Sequence, residues 1–396
     1  MSPRWVAVAL VTVAAFADLL AYSIAVPVLP DLGHRLGASP TLIGLLFGAF
    51  GATLLTTSIP MGAISDRIGR KGPLVGGMAA LSLSTLLFAY AQHLPLLFAA
   101  RLVQGAADAV TWVVGFALIA DLYGPDERGR VMGLVMSGTG LGLMMGPALG
   151  GWLYELGGTQ LPFLTVTALT GITAMAFAAL RLPDSHVDRD HVPVAAVVTR
   201  PEIAAIASAV ALAARTISML EPVLPLFLSS AFGLGPARIG LVFGAGALVS
   251  TLLHPLCGRL TDRLGGRTPT LVGLVLMALA VTALSRAWSA TSALALYLVL
   301  ASTTAIVVTP SLAYMAEATS SAGLGSFGVA YGLYNVAWGI GLLAGPSMGG
   351  FLYERIGFAR LTLGWAPLVV LVTLAVARVA RPTSSIATPP APHRAA

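Results

Sequence analysis

Apolar runs of about 20 residues recur along the whole chain, and a helix that crosses a bilayer needs a run of that length. Short polar or Pro/Gly-containing breaks separate them. Runs near 5–29, 41–62, 73–91, 95–121, 130–153, 162–180, 202–231, 238–258, 268–287, 291–316, 325–350 and 360–379 predict twelve spanning helices. Lipid offers the backbone no hydrogen bonds, so such runs close their own bonds as helices. Of the 396 residues, 57% are hydrophobic and 10% charged, against roughly 25% charged in soluble domains. Most of the surface therefore faces lipid.

The net charge of +6 is explained by topology rather than by nucleic acid. Arg67, Arg70 and Lys71, then Arg128 and Arg130, then Arg259, Arg263 and Arg267 fall in loops on one side, joined by Arg4, Arg378 and Arg381 near the ends. About five basic residues remain for the other side. That bias predicts a multi-pass protein of the cell membrane with both termini in the cytoplasm, and a monomer is expected. The first apolar run lacks a small-residue cleavage pattern and reads as a retained helix. Cys257 is the single cysteine, so neither an internal disulfide nor a cysteine metal site is expected, and no cofactor is implied.

Segment 182–200, LPDSHVDRDHVPVAAVVTR, is the one strongly polar internal stretch and reads as a linker between bundles at 1–181 and 201–380, with a disordered tail at 381–396. Across it the same signals recur in order. Val26-Pro27-Val28-Leu29-Pro30 answers Glu221-Pro222-Val223-Leu224-Pro225. Gly62-x3-Asp66-Arg67-x-Gly69-Arg70 answers Gly258-x3-Asp262-Arg263-x-Gly265-x-Arg267. Gly146-Pro147-x2-Gly150-Gly151 answers Gly345-Pro346-x2-Gly349-Gly350. The offsets are about 195 to 199 residues. The expected fold is all-α: two related six-helix bundles around a central cavity, an arrangement suited to alternating access.

These segments carry a family resemblance. Gly62-Ala-Ile-Ser-Asp66-Arg67-Ile-Gly69-Arg70-Lys71 resembles the loop motif of the major facilitator superfamily. Arg101-Leu-Val-Gln104-Gly105 resembles its helix 4 motif, and Gly138-x-Gly140-x-Gly142-x3-Gly146-Pro147-x2-Gly150-Gly151 the helix 5 motif of its twelve-helix drug/proton antiporters. Asp18 followed by Val-Pro-x-x-Pro, Met219-Leu220-Glu221-Pro222-x-Leu224-Pro225, and the Gly-Pro-Ser-x-Gly-Gly of helix 11 resemble the vesicular monoamine and acetylcholine transporters. The long glycosylated luminal loop of those animal proteins is missing, which implies a prokaryotic-type relative. Phe50 stands where they carry a helix 2 lysine, and Ala305 and Asn335 where they carry acidic residues.

Charges inside a span are costly, at least about 2.5 kcal/mol each at the bilayer centre, which singles out Asp18, Arg101, Asp108, Arg215 and Glu221 as proton-coupling candidates. Asp18 in helix 1 can attract a cation, take up a proton, or sit in a static ion pair. Arg215 lies at nearly the same depth in helix 7, so an Asp18–Arg215 pair across the two halves is expected. Glu221 precedes Pro222 at a bend and can serve proton coupling, ligand recognition, or the structure of the cavity mouth. Arg101 and Asp108 are seven residues apart and share a face of helix 4. The resemblance ties Arg101 to proton transfer.

With Asp18 and Glu221, the residues Tyr22, Trp112, Tyr331, Asn335 and Trp338 make up the expected substrate site. The last three follow i, i+4, i+7 on helix 11, where an aromatic face either binds an ammonium group or meets lipid. Gly62, Asp66, Arg67, Gly69 and Arg70, with Asp262 and Arg263, are expected to lock conformation. Gly142, Gly146, Pro147 and Gly150 are expected to pack and bend helix 5. The function implied is a proton-driven antiporter for amphipathic organic cations, drugs or monoamine-like amines. A proton-coupled symporter for sugars or other nutrients is the alternative; no nucleotide loop, triad or metal cluster supports an enzyme, and a receptor is the remaining class.

Overall fold

The computed structural model describes residues 3–123, 125–179, 200–321 and 327–379. The expected linker at 182–200, except Arg200, and the tail at 381–396 lie outside them. The described residues form α1 (Pro3–Arg35), α2 (Pro40–Ile68), α3 (Lys71–Ala89), α4 (Leu94–Leu122), α5 (Pro125–Gly157), α6 (Gln160–Ala179), α7 (Pro201–Phe232), α8 (Pro236–Leu264), α9 (Arg267–Leu284) and α10 (Ala290–Ser321). The remaining stretch, Phe327–Val379, is broken at Gly357, where φ is 75°. It counts as α11 (327–356) and α12 (358–379), giving twelve helices, each bundle holding six.

The helix ends follow from local sequence. Prolines open α2, α4, α7 and α8, where the missing N–H costs nothing. Ser39 caps α2 by accepting from the Leu42 N–H. Among the described residues six glycines have positive φ, and they fall into corresponding pairs: Gly37 with Gly233, Gly69 with Gly265, Gly158 with Gly357. The repeat seen in the spans thus extends to the turns, since a left-handed residue at these sites favours glycine.

Within each bundle the first and fifth helices lie closest. Ser23 of α1 donates to the Gly142 carbonyl of α5 at 3.1 Å, and Ser218 of α7 donates to the Gly341 carbonyl of α11 at 3.1 Å. A Cβ added at Gly142 would fall 2.4 Å from the Phe16 oxygen, at Gly146 1.9 Å from Ser23 Oγ, and at Gly150 2.6 Å from the Ile24 oxygen. Gly345 repeats this against Ser218 Oγ at 2.3 Å. The glycines of the helix 5 motif are therefore spaces that α1 fills, the close approach that small residues permit in lipid.

The two bundles meet through α2 on α11 and α5 on α8. Gly44, Gly48 and Gly51 face the backbone of 342–350, while Gly240 lies against the Pro147 oxygen and Gly151 against Pro236 and Ala237. All these contacts lie in the half of the molecule away from the termini. On the terminus side, Gly62 meets only its own bundle's Val113, and nothing lies within 4 Å of Gly258. The cleft between the bundles opens toward the termini.

Candidate functional site at the junction of the bundles

Two clusters of polar residues meet in mid-molecule. In the first, α1 and α4 bring Asp18 against the Asp108 carboxyl and the Trp112 indole. Both aspartates are buried, and Asp18 Oδ2 has no hydrogen-bond partner. Trp112 stacks on Phe116, one turn along, at 5.4 Å.

In the second cluster, one turn from Asp18 on α1, the Tyr22 hydroxyl donates to Glu221 Oε2 of α7 at 2.5 Å and so joins the two bundles. The Tyr22 ring rests on Phe50 of α2, with centroids 4.8 Å apart. On another side it meets the Arg101 guanidinium, 5.6 Å from the ring centroid. Arg101 is 0% exposed. Its Nη1 donates to Gln104 at 2.6 Å, while Nε and Nη2 have no hydrogen-bond partner. Phe47, Phe50 and Phe88 supply ring faces between 4.7 and 5.8 Å from it, so cation–π contact replaces much of the lost hydration. Glu221 is close enough for its charge to act on Arg101 and on Tyr297 of α10. Tyr297 in turn packs on Phe243 and against Gly246 of α8.

The expected Asp18–Arg215 pair is not formed. Asp18 turns to Asp108 and Trp112, and Arg215 keeps an unpartnered buried Nε beside α11. Nor does the helix 11 face join the clusters. Trp338 stacks with Tyr334 at 6.1 Å, and Tyr334 belongs to a separate core with Ile203, Val210 and Met315 near the terminus side. Asn335 is exposed; the Tyr331 side chain lies outside the described set.

In the loop motif, Arg70 donates from Nε to Asp121 of α4 at 2.9 Å and from Nη1 to Ser65 at 2.7 Å. This ion pair stays within the first bundle. Arg67, Asp262 and Arg263 are exposed, and the Asp66 side chain is outside the described set. Across the repeat, Glu317 of α10 accepts from the Gly266 N–H at 3.0 Å, at the same separation of 51 residues as Arg70 and Asp121. Asp121, Glu317, Tyr297, Phe47 and Phe88 carry no local signal in the sequence that marks them, and Phe50 is marked there only as standing in place of a lysine. The repeat offset alone would have flagged Tyr297, which occupies the place of Arg101 in the second bundle.

The Major Facilitator Superfamily model matches residues 11–210 and again 204–395. The human MFS-type transporter SLC18B1 is 28% identical over 86% of this chain and 78% of its own length. The human synaptic vesicular amine transporter is 27% identical over 80% of this chain, which spans 62% of that protein. Among solved structures, a bacterial homologue of the human lysosomal transporter Spinster superposes with a TM-score of 0.82. The match covers 96% of this chain and 98% of that one at 16% identity.

Proposed function

The chain belongs to the Major Facilitator Superfamily, and from that premise, which makes it a secondary transporter rather than an enzyme, we propose that it is a proton-coupled antiporter. It moves amphipathic organic cations or monoamine-like amines out of the cytoplasm. Both termini are cytoplasmic, by the basic loops they share a side with, and the protein sits in the cell membrane. On that assignment the cleft opens to the cytoplasm.

The observation that carries the reading is the convergence of Asp18, Asp108 and Glu221 with Tyr22, Trp112 and Tyr297 where the bundles meet. Carboxyl groups beside aromatic faces recognise an ammonium by charge and by cation–π attraction. Two carboxyls that touch, as Asp18 and Asp108 do, are stable with a proton or a cation between them. Cation and proton then compete for overlapping places, and exchange follows if each favours a different state of the cleft. The amine transporters among the relatives support the substrate class.

The test uses purified protein in liposomes with an imposed proton gradient and labelled phenethylamine. Accumulation against the gradient's proton flow is expected. Uptake in the same direction as protons would replace antiport with symport, and no gradient-driven movement of any organic cation tried would remove the proposal.

A further inference from the structure

Glu221 stands near a cation it does not pair with. Arg101 offers two guanidinium nitrogens, Nε and Nη2, without a hydrogen-bond partner among the described residues, and Glu221 is near enough to act on it electrostatically. A buried guanidinium and a carboxylate left to themselves form a bidentate ion pair, the strongest arrangement open to both. Here the Tyr22 side chain touches both partners, its ring toward the guanidinium and its hydroxyl on the carboxyl. Phe50 backs the ring, fixing it in that place. Among the described residues, Arg101 is the cation whose charge reaches Glu221; the chain's sole lysine, Lys71, lies at the start of α3.

The other Glu221 oxygen receives no donor from the described residues, and the side chain is only half-buried. That oxygen is the one a ligand in the cleft can reach. Resting on the function proposed above, we propose that Tyr22 is a positioning residue that keeps Glu221 from the Arg101 guanidinium and so holds it ready for an organic cation. Without the phenolic donor, Glu221 satisfies itself on Arg101, and the internal ion pair displaces the ligand. Phenol and carboxyl come from different bundles, so this safeguard exists only while α1 and α7 are as close as they are here.

The decisive experiment is a cycle of Tyr22→Phe, Arg101→Gln and the double variant, each as purified full-length protein. Equilibrium binding of labelled phenethylamine and of tetraphenylphosphonium is the readout. Tyr22→Phe keeps the ring and should weaken binding about tenfold. In the Arg101→Gln background the same change should cost less than about twofold, because no guanidinium remains to capture Glu221. Unchanged binding in Tyr22→Phe overturns the proposal. An equal loss in both backgrounds also overturns it, because the hydroxyl would then be touching the ligand or merely supporting the fold. Wild-type protein that binds neither cation, with Glu221→Gln likewise silent, removes the cation-transport reading itself.

Discussion

Ser23 on Gly142 and Ser218 on Gly341 are the same contact made twice, and the paired glycine turns repeat it at the loops. The two bundles are thus alike in how their helices are spaced. They differ in what those helices carry inward. Where the first bundle has Asp18, Arg101 and Asp108, the register of the second gives Ala213, Tyr297 and Thr304, and Glu221 answers to Val26. A repeated scaffold supplies two bundles that can rock against each other at similar cost. The residues that break the repeat decide what the rocking responds to, because only they interact differently with ligand in the two states.

That contrast can be broken most severely at Glu221. Glu221→Gln keeps the shape and the acceptor for Tyr22 but removes the charge. Proton-driven exchange should fall about 100-fold or more, a loss of roughly 3 kcal/mol at about 1.4 kcal/mol per tenfold. Restoring a carboxyl in the other bundle by Val26→Glu should fail to rescue it. Transport in liposomes measures both.

A smaller effect sharpens the comparison within the first bundle. Asp18→Asn and Asp108→Asn should each impair exchange, and the double variant should be no worse than the poorer single one. Such a coupling energy is about 0.5–3 kcal/mol for residues in contact. Strict additivity would show that the two aspartates act separately.

Next comes the scaffold itself. A methyl at Gly240 would meet the Pro147 oxygen at 2.1 Å, and overpacking of this kind costs about 1–3 kcal/mol. Gly240→Ala should therefore favour the state in which α5 and α8 part on the side away from the termini. Maleimide labelling of a cysteine placed at Ala237, in a Cys257→Ser background, should speed up. Least of all, Glu354→Gln removes the charge from the acceptor of the Thr41 N–H at the start of α2, 2.9 Å away. The same label should report a change of a few-fold at most, as for an exposed charge. Glu155→Gln, the corresponding change in the first bundle, should do nothing measurable.

Much of this was legible in the sequence because hydropathy, prolines and glycines are local signals. The spans and the three repeated motifs mark helices that the structure contains. The site was legible only in part. Asp18, Tyr22, Trp112, Arg101, Asp108 and Glu221 all come to the junction, but Arg215 does not reach Asp18. The reason is rotation: the true counterpart of Asp18 is Ala213, and two residues further along a helix change depth by about 3 Å but direction by about 200°. Equal depth is not equal facing. The cage around Arg101 was unreadable for a related reason. Phe47 and Phe50 lie on α2 and Phe88 on α3, and apart from the lysine that Phe50 replaces, nothing in their own segments distinguishes them from lipid-facing phenylalanine.

The seam between α5 and α8 is built of carbonyl oxygen against glycine, so parting it moves no net charge through the membrane's electric field. A full charge crossing that field is worth about 2.3 kcal/mol per 100 mV. Any voltage dependence of transport must then come from ions and from the charged side chains within the spans, Asp18, Arg101, Asp108, Arg215 and Glu221. Current recorded from this protein would read the site and leave the hinge silent.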